Sequence, residues 1–300
     1  MTISIILFLL IIVSLFEHNS TFHFNNGLIY NGKIFDIKKY PYVMCLKFYN
    51  GPEYSGCTGS LVKKKFVLTA AHCCHGQKAS GVQVIQGSPL VNGPIQRVSK
   101  IYQHKDYDPI KNPFAPRGDV CVLQLKKSFP NIKTFIKIGG SPKDFDGGKK
   151  LSCTLFGFGG TGDNRTTGKS GYMMTNDVVY GKTACQLHDS VEIKASWKQY
   201  LCLVPNGIST TCTGDSGGPM ICNGVQYGVC SFGFPYAGGP GGCGLPNQQE
   251  IYSFLHSHLK WINSIIEPKK KKNSGNLLKL HTIIFHTSLT ILLCNVLIFI

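Results

Sequence analysis

Leu68-Thr69-Ala70-Ala71-His72-Cys73 and Gly214-Asp215-Ser216-Gly217-Gly218-Pro219 are the two stretches on which the reading of this chain turns. Between them stands Gly118-Asp119-Val120-Cys121-Val122-Leu123-Gln124-Leu125, an acid at the head of an apolar strand. A lone histidine, aspartate or serine carries no information, because most are structural or solvated. Here a histidine pattern, a strand-start aspartate and a glycine-framed serine follow one another in order. Gly214 leaves the approach to the serine open, and Gly217 and Gly218 permit a tight backbone around it.

These residues resemble the chymotrypsin/trypsin family of serine proteases, over about residues 29–266. The order His, Asp, Ser is that family's, not that of subtilisins or α/β-hydrolases. The resemblance implies an all-β fold of two six-stranded antiparallel barrels with a C-terminal helix. It implies peptide-bond hydrolysis through an acyl-enzyme on Ser216, with His72 and Asp119 completing the catalytic triad. A serine hydroxyl is a poor nucleophile unless a base takes its proton, and imidazole titrates near neutrality. Asp119 would fix the His72 tautomer, and the N–H groups of Gly214 and Ser216 would form the oxyanion hole. The alternative is a catalytically silent homologue acting as a binding or regulatory module.

The same resemblance implies an activation switch. Ile29-Tyr30-Asn31-Gly32 looks like the family's new N-terminus, whose amine would pair with Asp215 after cleavage. Gly27-Leu28 before it departs from the basic residue that a trypsin-like activator needs. Four disulfides follow the family pattern: Cys57 with Cys73, Cys153 with Cys222, Cys185 with Cys202, and Cys212 with Cys243. Cys121 and Cys230 sit in apolar strand contexts and read as buried thiols. Cys45 with Cys74 is a candidate for an extra bridge.

The primary specificity pocket takes three stretches in this family. Thr210 stands at its base position, where trypsin-like members carry Asp. Ser231-Phe232-Gly233 matches the wall that pairs with substrate backbone, and Gly233 leaves the entrance open to a large side chain. Glu250 stands where a wall glycine is common. Its carboxylate either projects into an apolar slot, welcoming a basic residue while admitting an aromatic ring, or points to solvent because residues 234–242 distort the wall.

Composition supports a secreted, disulfide-bonded domain. The chain has 300 residues, 43% hydrophobic and 15% charged, with 34 glycines and 15 prolines, which favours turn-rich β structure. Thirteen cysteines point to an oxidising compartment. Short β-rich runs occur at 42–48, 60–68, 82–85, 120–125, 151–158 and 225–230, and helical spacing within 253–266 predicts one terminal helix. The apolar run 3–16 reads as the core of a signal peptide. The expected organisation is signal peptide 1–20, pro-segment 21–28, protease domain 29–267, lysine-rich spacer 268–282 and apolar tail 283–300. That tail is a GPI signal, a retained membrane tail, or neither. Asn164-Arg165-Thr166 is a glycosylation acceptor.

Net charge is +16. It favours acidic partners such as glycans or anionic lipid, or else describes a solvated face. No nucleic-acid motif is present. No cofactor or metal is expected: residues 54–105 hold no Asp or Glu for calcium, and His72-Cys73-Cys74-His75 has other duties than zinc. The expected protein is a monomer that meets protein or peptide substrates and protein protease inhibitors.

Overall fold

The computed structural model describes residues 29, 31–87, 93–113, 115–161, 164–167, 170–185, 191–207, 209–235, 243, 245 and 248–268. The expected signal peptide, pro-segment, lysine run and apolar tail lie outside the described residues. Among those described, no helix is long and apolar enough to cross a membrane.

The strands, in chain order, are β1 (Lys33–Ile34), β2 (Val43–Asn50), β3 (Glu53–Lys63), β4 (Phe66–Thr69), β5 (Val82–Gln86), β6 (Ile95–Gln103), β7 (Cys121–Leu125) and β8 (Leu151–Gly157). There follow β9 (Gly160–Thr161), β10 (Asn164–Thr167), β11 (Tyr172–Val179), β12 (Tyr200–Leu203), β13 (Pro219–Cys222), β14 (Val225–Pro235) and β15 (Gln248–Phe254). Among the described residues there are three short α-helices, α1 (Ala71–Cys74), α2 (Val191–Ser196) and α3 (Leu259–Ile266).

Two closed antiparallel barrels result. The first runs β2-β3-β4-β7-β6-β5 and returns to β2. The second closes through β8-β11-β12-β15-β14-β13 and back to β8, with β1 added at β11. Closure removes the exposed edges that open sheets must protect. Each interior is apolar: Val43, Leu46, Leu61, Leu68 and Val84 are fully buried in the first barrel. Leu155, Val178, Leu201, Met220 and Phe254 pack together in the second.

Polar groups join the barrels where apolar packing gives way. Ser60 Oγ on β3 donates to Gln226 Oε1 on β14 at 2.7 Å, and the Gln226 amide donates to Gly228 O at 3.1 Å. Gln226 is fully buried, so both bonds offset a desolvation cost of a few kcal/mol.

Two sequence expectations need correction. The run 60–68 is not one strand: it holds the tight β3–β4 hairpin, with Lys64 and Lys65 at the turn. The helix does not begin at 253. Ser253 and Phe254 end β15, paired with Val229 and Gly228, and only Leu255–His258 turn into a 3₁₀ segment before α3. Ladder bonds on both flanks of β15 outweigh the helical spacing of Phe254.

Among the described residues, five disulfides staple the fold. Cys57–Cys73, Cys153–Cys222, Cys185–Cys202 and Cys212–Cys243 are joined by Cys74–Cys121. Cys121 is therefore no thiol, and Cys74 does not pair with Cys45. The register decides this. Thr69 on β4 stands opposite Cys121 on β7, so the helix that follows Thr69 delivers Cys74 to that strand end. Cys45 lies on β2 between Thr58 and Ile85, and it stays a buried thiol whose pKa burial pushes up to about 12.

Candidate active site

The β4–β7 register also assembles the first half of the site. Three residues beyond Thr69 comes His72 in α1, and two before Cys121 comes Asp119. Asp119 receives the His72 backbone N–H at 2.8 Å on Oδ1, and its Oδ2 meets His72 Nδ1 at 2.8 Å. Ser231 Oγ donates to the same Oδ2, and Ser253 Oγ donates to the Asp119 carbonyl at 3.1 Å. Asp119 is fully buried, while the His72 side chain is 30% exposed. Burial alone would lift the Asp119 pKa, but the His72 charge and the donated hydrogen bonds hold it below the ordinary carboxylate value. Burial likewise works against a charged His72; the adjacent Asp119 outweighs it and holds the imidazole above its usual pKa.

Ser216 comes from the other barrel, in the loop ahead of β13. Thr58 N donates to Ser216 O at 2.8 Å, and Cys73 Sγ lies 3.8 Å from the same oxygen. The Cys57–Cys73 disulfide therefore seats the Ser216 backbone beside the residue that follows His72. Thr58 fastens the loop a second time. Its buried hydroxyl donates to Gly214 O at 2.9 Å and accepts Phe158 N at 2.9 Å.

The loop conformation requires glycine at two places. Gly214 has φ +101°, and a Cβ there would lie 2.8 Å from Gly159 Cα. Gly217 has φ +82°, and a Cβ would meet Thr69 Oγ1 at 2.0 Å. Asp215 is fully buried. It accepts Cys212 N and Gly159 N at 2.8 Å each, and the backbone N–H of Ile29 as a third donor. Burial pushes its pKa to about 7, against the pull of those three bonds. Ile29 is itself fully buried and sits at φ +49°, a conformation that a β-branched residue rarely adopts.

Beside Ser216 opens a pocket lined by Cys230, Ser231, Phe232, Gly233, Gln248 and Glu250, with the Cys212–Cys243 disulfide at its rim. Glu250 does not point to solvent: it is 4% exposed and forms part of this wall. Thr211 Oγ1 donates to its Oε2, and Gln248 Nε2 donates to Oε1 at 2.6 Å. Gly233 pairs with Glu250 across β14 and β15, and a Cβ on it would come within 2.7 Å of Glu250 Oε2. Burial lifts the Glu250 pKa to about 7, the two donors pulling down and the Asp215 charge pushing up.

Thr210 is buried, but it is the next residue, Thr211, that faces the pocket and holds Glu250. The sequence reading passed over Thr211, Gln248 and Thr58. Gln248 was findable, since i and i+2 share a face of a strand and Glu250 had been placed in the wall. Thr58 carried no such signal. Asn164 opens the short strand β10, opposite Thr161 on β9.

His72 also comes close to Cys57 and Cys73, a trio with metal-like spacing. The two sulfurs are bonded to each other, and Cys74 is bonded to Cys121, so no thiolate is on offer.

Comparison with known proteins agrees with this geometry. The Trypsin family model matches residues 29–262. Trypsin zeta of Drosophila erecta is 28% identical over 260 residues, covering 81% of this chain and 86% of that protein. Mouse neutrophil elastase is 28% identical over 215 residues, covering 70% and 73%. Among solved structures, mouse neuropsin superposes with TM-score 0.63 at 23% identity, covering 79% of this chain and 99% of that one. A structure titled HL collagenase gives 0.65 at 23% identity, covering 80% and 99%, and both likenesses bear on the fold. With two closed barrels, a His–Asp pair between strand ends and a serine loop pinned against it, the chain belongs to the chymotrypsin/trypsin family of serine proteases.

Proposed function

We propose that the chain is a secreted endopeptidase that hydrolyses peptide bonds through an acyl-enzyme on Ser216. The observation that carries this is the doubly bonded His72–Asp119 pair, with the neighbouring Cys73 Sγ 3.8 Å from the Ser216 carbonyl. His72 takes the Ser216 proton as Oγ attacks the carbonyl carbon, and Asp119 stabilises the imidazolium. The C–N bond then breaks as His72 returns the proton to the leaving amine. Water, deprotonated by His72, cleaves the ester in turn. Gly214 N–H and Ser216 N–H receive the oxyanion, each donor contributing about 3 kcal/mol. The steps are those of the family, carried over to these residues.

Activity requires release of Ile29 from the preceding chain. The freed ammonium replaces an amide N–H beside Asp215, supplying the positive charge that a buried carboxylate lacks. It also frees Ile29 from its left-handed backbone. Glu250 gives the pocket a side chain that favours Lys or Arg when ionised and tolerates a bulky apolar group when protonated. Asn164 is the expected glycan carrier, and protein protease inhibitors would compete for the same cleft. The tail 283–300 is read as a GPI signal: GPI-specific phospholipase C should release the protein from cells, and persistence after treatment rejects it.

The decisive experiment is labelling by a fluorophosphonate probe, before and after cleavage at Ile29, with Ser216→Ala as control. Labelling of the cleaved wild-type chain alone supports the reading. A cleaved, folded chain that never labels would instead be a silent homologue acting by binding.

A further inference from the structure

We propose that the first barrel carries a docking surface for a sulfated glycosaminoglycan, at the end of β7 remote from Asp119. Six exposed basic residues gather there from three neighbouring strands: Lys64, Lys65, Arg97, Lys100, Lys126 and Lys127. The backbone brings them together. Leu125 N donates to Lys65 O at 2.8 Å, and Lys126 N donates to Arg97 O at 2.8 Å. Lys65 Nζ reaches Lys126 O at 3.1 Å, and Lys100 stands opposite Gln124 one step along β7. Adjacent strands lie about 4.8 Å apart, so the three strand ends span roughly 10 Å of continuous positive charge.

The segments that build this surface, 54–105 and 120–143, contain no Asp or Glu at all. A merely solvated face normally intersperses both signs. Here a field of one sign is concentrated on one face, which suits a polyanion.

The occupant follows from the surroundings. Five disulfides place the folded chain in an oxidising compartment, where sulfated polysaccharides are the abundant polyanions and nucleic acids are not. Of the large exposed apolar residues, Ile95 alone lies on β4, β6 or β7, too little to enter a bilayer. Among the described residues of these strands no aromatic ring is fully exposed for stacking on bases, and the half-buried Tyr102 ring is taken by Lys100 Nζ, 4.6 Å from its centroid. From Asp119 to Lys126 the chain runs seven residues along β7, about 20 Å, so a bound glycan leaves the cleft free.

The test is binding of a heparin octasaccharide to the full chain at several NaCl concentrations, with a Lys64→Gln/Lys126→Gln/Lys127→Gln variant. The variant should bind at least about tenfold more weakly at 0.15 M NaCl, and its salt slope should fall by about three, one per lost contact. Its melting temperature should be unchanged; if the triple variant fails to fold, Lys100→Gln/Lys127→Gln with a slope loss near two serves instead. Unchanged heparin affinity overturns the proposal, as does loss seen only when the four lysines 269–272 are replaced. A single-stranded DNA or phosphatidylserine vesicles bound as tightly as heparin through the same lysines would overturn the choice of glycan.

Discussion

Thr58 Oγ1 donates to Gly214 O at 2.9 Å, linking a strand of the first barrel to the loop that presents Ser216 in the second. The same oxygen accepts Phe158 N, and the Thr58 backbone N–H holds Ser216 O. One residue thus ties together the histidine-bearing barrel and the peptide unit expected to stabilise the oxyanion.

Thr58→Val keeps the shape and removes the hydroxyl, leaving Phe158 N–H and Gly214 O without that partner. We expect a stability loss of about 1–3 kcal/mol from the unsatisfied buried groups. The turnover number should fall by about tenfold or more with little change in KM, because the loop carries the N–H groups proposed as transition-state donors. Thr58→Ser should restore most of it. Wild-type turnover in the valine variant would show that the disulfide alone positions the loop.

If His72 is the general base proposed above, its pKa, raised by Asp119, should set the acid limb of kcat/KM. Activity needs neutral imidazole, so it falls as the pH drops through a midpoint above the 6.5 of free histidine. Asp119→Asn removes the charge that lifts that midpoint. The limb should move to lower pH, and the rate should fall by about 10⁴, as known for this carboxylate in the family. A limb that does not move would assign the titration to another group.

Much of this site was legible in the sequence, and the reasons are local. The glycines around Ser216 announce a backbone that only glycine fits, and the acid at the head of β7 announces a buried carboxylate. What remained hidden depends on register. Thr58 adjoins Cys57 in sequence, but its partner Gly214 is 156 residues away, and only barrel closure brings them together. Cys74–Cys121 follows from Thr69 facing Cys121, a pairing that no spacing rule announces. The run 60–68 is uniformly β-rich in sequence, and only the antiparallel pairing of Ser60 with Leu68 shows that Lys64 and Lys65 turn it. Phe254 fell on the helical period by coincidence while serving the barrel core.

Glu250, with a pKa near 7, should make substrate preference depend on pH. Above that value its carboxylate is charged and favours Lys or Arg before the scissile bond; below it, the neutral acid leaves an uncharged pocket. The ratio of kcat/KM for a Lys over a Leu substrate should rise severalfold from pH 6 to pH 8. His72 titration cancels in that ratio. Glu250→Gln should flatten it at the low-pH value. A ratio that is flat in the wild type, or unchanged in the variant, removes Glu250 from specificity.

Asp215 should give the uncleaved and cleaved chains opposite responses to pH. In the uncleaved chain its folded pKa is about 7, well above the 3.8 of an unfolded aspartate. The folded state then holds a proton that the unfolded state has lost, so stability is full below about pH 4 and is lost as pH rises through 7. After cleavage the Ile29 ammonium favours the carboxylate and drives its pKa down, so stability from this group is present above pH 4 and is lost on acidification. Glu250, also raised, contributes with the first sign in both forms and drops out of their difference. Melting temperatures of Ser216→Ala, cleaved and uncleaved, should therefore diverge by several degrees between pH 5 and pH 8, the cleaved form gaining. Parallel curves would mean that the new amine does not reach Asp215, and the activation step would have to be sought elsewhere.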